Sequence, residues 1–135
     1  PRRHSSAASD VYKRQHAIEC RLYAEKPEKN FIPSPGHLKV LRLPRPSDAI
    51  RIEASYTEGD TITPFYDPMI AKIITFGGDR SHAIQKMLSA LEQCQIEEVA
   101  TNLSLLIAIL KDPAFKDARA NTTYLEQNIT TLMGL

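Results

Sequence analysis

The 135-residue sequence contains only two cysteines and five glycines. With nine prolines, this composition argues against a low-complexity chain, and the length suits one globular domain. No apolar run approaches the roughly 18 residues of a membrane span, so we expect no membrane association. Cys20 and Cys94 lack the paired spacing of a zinc site or a redox motif, and free thiols or a disulfide bridge both stay open. The four histidines form no pair at metal-binding spacing, so we expect no metal site.

The net charge of +1 comes from the first fifteen residues. Four of the 17 basic residues and one of the 16 acidic residues lie there, which leaves 13 basic and 15 acidic residues in the body. Because the excess positive charge sits in a tail, the sequence argues against a nucleic-acid-binding surface. Residues 1–15 lack the apolar segment of a secretory signal and look like translated adapter sequence. We predict that this tail is disordered and not native.

The first half of the chain predicts short strands, because apolar and polar residues alternate with a period of two. The segments are residues 16–25, 37–43 and 49–54. The predicted inward-facing residues are Ala17, Cys20, Leu22 and Ala24 in the first segment, Leu38, Val40 and Leu43 in the second, and Ile50 and Ile52 in the third. The continuous apolar run at residues 69–76 predicts a central strand.

The second half of the chain predicts helices. Asp79 is placed to cap a first helix, whose apolar residues recur every three or four positions: Ala83, Ile84, Met87, Leu88, Leu91 and Cys94. A short link at residues 96–99 leads to a second helix at residues 103–110, which is apolar almost all round and therefore predicted to be buried. Pro113 ends it, and Thr122 or Thr123 caps a final short helix. Strands followed by helices indicate an α+β fold, with a mainly antiparallel sheet covered on one side by two or three helices.

Arg51 is the residue with the clearest chemical potential. It lies between Ile50 and Ile52, so its guanidinium leaves the strand on the face opposite two apolar side chains. A guanidinium fixed on a strand suits an anion or a developing enolate. The alternative is a structural salt bridge with a neighbour such as Glu19 or Glu53.

Two other polar groups have mainly structural interpretations. Lys72 lies inside the apolar run of the predicted central strand, where its stem can extend along the sheet and its ammonium can pair with an acid. Asp67 and Glu53 could form a carboxylate pair, but a turn acid and a surface acid explain them as well. The sequence contains no phosphate-binding loop and no nucleophile elbow.

Several strings, in order and in register, resemble the C-terminal domain of biotin carboxylase. They are HAIECRLYAE at residues 16–25, NFIPSPG at 30–36, Ile50-Arg51, GDTITPFYDPMIAK at 59–72, Thr101-Asn102 and NTTYLE at 121–126. The resemblance covers residues 16–127, which is nearly all of the chain outside the tail.

The resemblance implies part of an ATP-grasp ligase that carboxylates biotin on a carrier protein, using MgATP and bicarbonate. Arg51 matches the arginine that contacts bicarbonate and stabilises the biotin enolate, so it is the implied catalytic and biotin-binding residue. Phe76 and Arg80 are implied candidates for a homodimer interface. The implied partners are the missing N-terminal and ATP-grasp domains, a biotin carboxyl carrier protein or domain and a carboxyltransferase, in the cytoplasm.

The sequence departs from the family pattern at two positions. Gln15 stands where the family has glycine, which fits a native sequence that resumes at about His16. Glu98 also replaces a glycine, and we expect strain of about 1 kcal/mol if the backbone there has a positive φ. The acceptor stays open, because some motifs resemble acetyl-CoA carboxylase, an enzyme of fatty acid biosynthesis, and others resemble propionyl-CoA or methylcrotonyl-CoA carboxylases.

Two hypotheses of different class follow. In the first, the chain is the C-terminal domain, at residues 16–135, of a working biotin carboxylase, and is inactive and without bound cofactor on its own. In the second, it is a non-catalytic interaction or dimerisation module that keeps the same fold. A glycine-rich loop and metal ligands encoded upstream of His16 would favour the enzyme.

Overall fold

A computed structural model describes residues 16–116 of the chain. The strands are β1 (His16–Tyr23), β2 (Glu25–Lys26), β3 (Ile32–Pro33), β4 (Gly36–His37), β5 (Val40–Arg42), β6 (Ile50–Ala54), β7 (Thr61–Ile62), β8 (Met69–Gly77) and β9 (Gln95–Glu97). The helices are α1 (Arg80–Glu92), α2 (Leu103–Lys111) and α3 (Pro113–Lys116), with one 3-10 turn at Pro27–Lys29. This order of strands and helices confirms the α+β class.

The main sheet has three antiparallel strands in the order β1-β8-β6. The predicted central strand is confirmed, since β8 pairs with β1 from His16↔Gly77 onward and with β6 from Ile50↔Thr75 to Ala54↔Ala71. Three two-stranded ladders, β2-β3, β4-β7 and β5-β9, extend the structure around it. The tail at residues 1–15 and the helix predicted after Thr122 lie outside the described residues.

Helix α1 covers one face of the main sheet, as the sequence predicts. Asp79 caps it, because its Oδ1 accepts a hydrogen bond from the backbone N–H of His82 at 2.8 Å. The first core cluster joins sheet and helices: Ile18, Cys20 and Ile73 from the sheet, Ala83, Ile84, Met87, Ala90 and Leu91 from α1, and Leu110 from α2. Strand and helix approach so closely at Gly77 that a Cβ there would lie 2.5 Å from the backbone nitrogen of Ala83. Glycine is therefore required at the end of β8.

A second core cluster fills the other end of the sheet. It contains Leu22, Ala24, Leu38, Leu41, Ile62, Ile70 and Ala71. Two predicted inward positions are wrong, Ala17 and Val40. In β1, Ala17 is exposed while Ile18 is buried, because Ile18 shares the period of Cys20 and Leu22. In β5, Leu41 is buried and Val40 only partly so, because residues 37–43 break into two short strands that pair with different partners. The predicted inward position of Leu43 is confirmed, since its side chain packs, partly buried, against this second cluster.

Two other predictions about the second half need correction. The apolar link at 96–99 contains strand β9, which pairs with β5 through Leu41↔Ile96. Helix α2 is only partly buried, with Leu105 and Leu110 inside and the rest of its apolar residues half-exposed. It is an outer layer that packs on α1 and β1 along one side, so its all-round apolar sequence does not mean complete burial.

Both cysteines are free thiols, so the disulfide alternative is wrong. Burial, helped by the negative charge of Glu19, raises the pKa of Cys20 to about 12. Burial also raises the pKa of Cys94 to about 11. Both side chains are therefore neutral at physiological pH and act as small apolar groups in or beside the core.

The buried side chain of Asn102 closes the outer edge of β1. Its Oδ1 accepts from the N–H of Tyr23 at 2.8 Å, and its Nδ2 donates to the carbonyl of Arg21 at 3.0 Å. The backbone N–H of Asn102 donates to the carbonyl of Tyr23 at 3.2 Å. Asn102 thus joins the start of α2 to a strand edge whose polar groups would otherwise lack these partners.

Replacing Asn102 with alanine should lower the free energy of unfolding by about 2–3 kcal/mol, because it leaves a partly buried N–H and carbonyl unpaired. Urea denaturation of the whole chain measures this. Thr101→Ala is the matched control, since it removes only a 3.3 Å hydrogen bond to Leu103 and should cost under about 1 kcal/mol. Equal stabilities for the Asn102 variant and the wild type would contradict the role of the side chain.

Glu98 has a φ of 75°, so the condition for strain at this position is met. Its carboxylate lies 3.8 Å from Nζ of Lys39, and both side chains are half-exposed or more, so this pair contributes little. Glu98→Gly should therefore raise the free energy of unfolding by up to about 1 kcal/mol. The control Glu97→Gly, in β9, should lower it. A loss of stability in the Glu98 variant as large as in the control would show that the turn carries no strain.

Candidate functional site

The face of the main sheet opposite α1 carries the candidate site. Along β6, Ile50 and Ile52 turn toward the covered side, while Arg51 and Glu53 point outward and are exposed. This confirms the predicted division of the strand. The alternation of β8 places Lys72, Ile74 and Phe76 on the same outer side, because the buried residues of that stretch are Ile73, Thr75 and Gly77.

The register of the three strands forms two rows across this face. In the first row Glu19, Ile74 and Arg51 lie side by side. In the second row Arg21, Lys72 and Glu53 lie side by side. The outer face therefore presents a small grid of charged groups around one half-buried isoleucine, and Arg51 stands on its β6 edge.

The guanidinium of Arg51 is both paired and accessible. Its Nη2 lies 3.1 Å from Oε2 of Glu53, and 66% of its side chain is exposed. The other carboxylate oxygen of Glu53 lies 3.8 Å from Nζ of Lys72. The salt bridge that the sequence offered as the alternative for Arg51 thus exists with Glu53, whereas Glu19 pairs with Arg21 at 2.9 Å. With 66% of its side chain exposed, Arg51 remains accessible from solvent despite this ion pair.

An open cavity of about 410 Å³ lies beside Arg51 at the edge of β6. Its lining residues are Pro46, Ser47, Asp48, Ile50, Arg51, Ile52 and Phe76. The turn before β6 forms one wall, where Ser47 and Ile50 exchange backbone hydrogen bonds of 2.9 and 3.2 Å. The sequence reasoning did not identify the wall formed by Pro46, Ser47 and Asp48, because only the fold brings it next to Phe76 of β8.

The remaining candidates fall in different places. Phe76 is half-buried and lines this cavity. Arg80 forms its contacts with Phe115 of the same chain. Its Nη2 donates a hydrogen bond to the carbonyl of Phe115 at 2.7 Å, and its guanidinium lies 4.7 Å from the centre of the Phe115 ring. Asp67 and Glu53 are not a carboxylate pair, because Oδ1 of Asp67 accepts from the N–H of Met69 at 3.0 Å and shapes a turn.

The ionisable groups of residues 16–116 offer no cluster of three or more His, Cys, Asp or Glu for a metal ion. Within the same range, none of the helices is long and apolar enough to cross a membrane. The outer face presents the exposed guanidinium of Arg51 beside an open cavity, an arrangement that suits an oxyanion or a planar polar ligand.

Comparison with known proteins identifies the family. The model of the biotin carboxylase C-terminal domain matches residues 19–127. Biotin carboxylase 2 of Bacillus subtilis (strain 168) is 43% identical over 120 residues, which are 89% of this chain and 27% of that protein. The mitochondrial methylcrotonoyl-CoA carboxylase subunit alpha of Dictyostelium discoideum is 36% identical over 118 residues, which are 87% of this chain and 17% of that protein.

A solved structure shows the same fold. It is the biotin carboxylase domain dimer of Hydrogenobacter thermophilus 2-oxoglutarate carboxylase in complex with MgADP, ADP and bicarbonate, with a TM-score of 0.80 and 40% identity over 86% of this chain and 25% of that one. The chain thus spans between 17% and 27% of the length of these relatives. It belongs to the biotin carboxylase C-terminal domain family of the biotin-dependent carboxylases.

Proposed function

We propose that, in its complete parent enzyme, this domain presents Arg51 to bicarbonate and to the ureido ring of carrier-bound biotin during ATP-dependent carboxylation. The observation that carries the proposal is the side chain of Arg51, which is 66% exposed on β6 and lines an open cavity. A delocalised cation at a fixed position stabilises negative charge that develops on a nearby oxygen.

The donor set of the outer face fits bicarbonate and the biotin ring. The exposed guanidinium of Arg51 carries planar N–H donors, and such a donor pattern suits a planar oxyanion or a ureido oxygen. In the complete parent, ATP activates bicarbonate as carboxyphosphate, a ring nitrogen of biotin loses its proton and accepts the carboxyl group, and phosphate leaves. The part of Arg51 is to orient these groups and to stabilise the enolate charge on the ring. The related structure from Hydrogenobacter thermophilus contains bicarbonate and MgADP, which supports this choice of ligands.

Residues 16–116 provide no carboxylate cluster for a magnesium ion. We therefore assign the binding of ATP and Mg²⁺ to the N-terminal and ATP-grasp domains of the parent. The other proposed partners are a biotin carboxyl carrier protein or domain, a carboxyltransferase and a second copy of the parent, with the cytoplasm as the location. The dimer in the related structure supports the homodimer. We propose Phe76, which is half-buried on the outer face, as a contact residue. If Arg80 contacted the second copy, that contact would compete with the hydrogen bond that Arg80 donates to the carbonyl of Phe115.

Arg51→Ala should lower biotin carboxylation on the order of 10²-fold in a complete enzyme, because it removes the cation that stabilises the developing charge. The complete enzyme is made by joining residues 16–135 to the preceding domains of Bacillus subtilis biotin carboxylase 2, and biotin-dependent ADP release measures the rate. Arg51→Lys should restore little, since an ammonium lacks the planar donor pattern. Arg21→Ala, on the opposite edge of the same face, is the control and should stay within about twofold. Full activity of the Arg51→Ala enzyme would favour the non-catalytic module instead.

The 135-residue chain alone should show no biotin-dependent ADP release, because ATP and Mg²⁺ are assigned to domains that it lacks. The joined enzyme, measured in the same buffer and at the same concentration, is the positive control. If the purified chain released ADP faster with biotin than without it, the assignment of ATP and Mg²⁺ to the other domains would be wrong.

A further inference from the structure

We propose that a groove between helices α1 and α3 binds the C-terminal segment of the same chain, residues 123–133, as an amphipathic helix. The groove lies on the helical side of the domain, so the inference does not depend on the proposed function of Arg51. The segment lies outside the described residues, and its part in the proposal is argued from its sequence.

The groove is a cavity of about 300 Å³ at the surface of α1. Its lining residues are Ser81, Ile84, Gln85 and Leu88 of α1 and Lys116 of α3. The four positions on α1 recur every three or four residues, so the groove follows that helix for about two turns. Ile84 is buried in the first core cluster and Leu88 packs partly buried against it. The groove therefore has an apolar floor and a polar rim.

Helix α3 is the second wall of the groove and is held against α1 by Arg80. The guanidinium of Arg80 donates to the carbonyl of Phe115 at 2.7 Å and lies 4.7 Å from the centre of its ring. Phe115 itself packs against the first core cluster. The groove is thus formed by contacts among the described residues, and a helix that binds there finds it already in place.

Residues 123–133 have the pattern of a helix with one apolar side. Leu125, Ile129 and Leu132 recur at the spacing i, i+4 and i+7, which places them in one stripe. The other side of the same helix is polar, with Glu126, Gln127, Thr130 and Thr131. Such a stripe needs an apolar surface to cover it, and the floor of the groove provides one.

The start of this helix has a capping signal. Thr123 and Glu126 have the spacing of a capping box, in which each side chain bonds to the backbone N–H of the other residue. A helix of about eleven residues is nevertheless only marginally stable in water on its own. Packing against the groove supplies the stability that the segment lacks in isolation.

The position of the segment in the chain favours it over any separate partner. Lys116 lines the groove, and only residues 117–122 connect it to the proposed helix. Connections of about 2–8 residues are usual between helices that pack as neighbours. A tether this short gives an effective concentration on the order of millimolar. The family model also extends past Lys116 to residue 127, so the start of the segment belongs to the conserved domain.

The first experiment detects the contact in the unmodified 135-residue chain by methyl NMR. We expect nuclear Overhauser effects from the methyl groups of Ile84 or Leu88 to those of Ile129 or Leu132. If these methyl groups are assigned and show no such effects, the proposal is wrong. An isotope-filtered spectrum of a mixed labelled and unlabelled sample identifies the molecule that contributes the helix. Effects that arise only between molecules would mean that a second copy fills the groove, and would also overturn the proposal.

The second experiment fills the groove from the side of α1. Gln85→Trp places a large side chain in the groove and should abolish the effects between Ile129 and the floor residues. Lys86→Trp is the matched control, since Lys86 is the next residue of α1, is also exposed and lies outside the groove lining. It should leave the effects intact. Equal results for the two variants would show that the segment does not bind in this groove.

The third experiment tests the apolar stripe by urea denaturation of the whole chain. Ile129→Asp should raise the equilibrium constant of unfolding by about tenfold or more, the scale set by the burial of one isoleucine. Thr130→Asp introduces the same charge on the polar side of the same helix and should change that constant by less than about twofold. If the two variants are equally stable, the stripe is not buried and the proposal fails.

Discussion

The position of Arg51 and of the apolar face that packs on α1 depends on the backbone pairing of β8 with β1 on one side and with β6 on the other. The register from His16↔Gly77 on one side and Ile50↔Thr75 on the other aligns three strands so that their alternation coincides. One face of the resulting sheet is apolar and packs on α1, and the other carries the charged rows that include Arg51. A shift of one residue between β6 and β8 would move Arg51 to the covered side and expose Ile50 and Ile52.

The supporting contacts keep this register in place. Gly77 lets β8 run directly against the start of α1, and the hydroxyl of Thr75 donates to the carbonyl of Ala83 at 2.9 Å, fully buried between strand and helix. At the opposite end, Asn102 closes the free edge of β1. The three-stranded sheet is thus supported at both ends. The contacts with α1 support one end and the hydrogen bonds of Asn102 the other, while the apolar core packs against the covered face between them.

The sequence predicted the parts of this structure that depend on local pattern. The central strand, the cap at Asp79, the apolar side of α1 and the outward direction of Arg51 all follow from periodicity and capping chemistry. The phase of β1 was misread locally, because Ile18 and not Ala17 shares the period of Cys20 and Leu22. The other failures depend on contacts between distant segments: the break in residues 37–43 and strand β9 are set by partners far along the chain. The proximity of Glu53 and Lys72 could not be predicted either, because only the register of β6 with β8 brings the two together beside Arg51.

The central claim is that the guanidinium of Arg51 contacts the ligands of biotin carboxylation. The most direct measurement is a crystal structure of the joined enzyme with biotin and bicarbonate bound. The account predicts N–H donors of Arg51 at about 2.7–2.9 Å from an oxygen of bicarbonate or of the ureido ring, with the contact to Glu53 retained. A structure in which both ligands are bound and Arg51 contacts only Glu53 would contradict it.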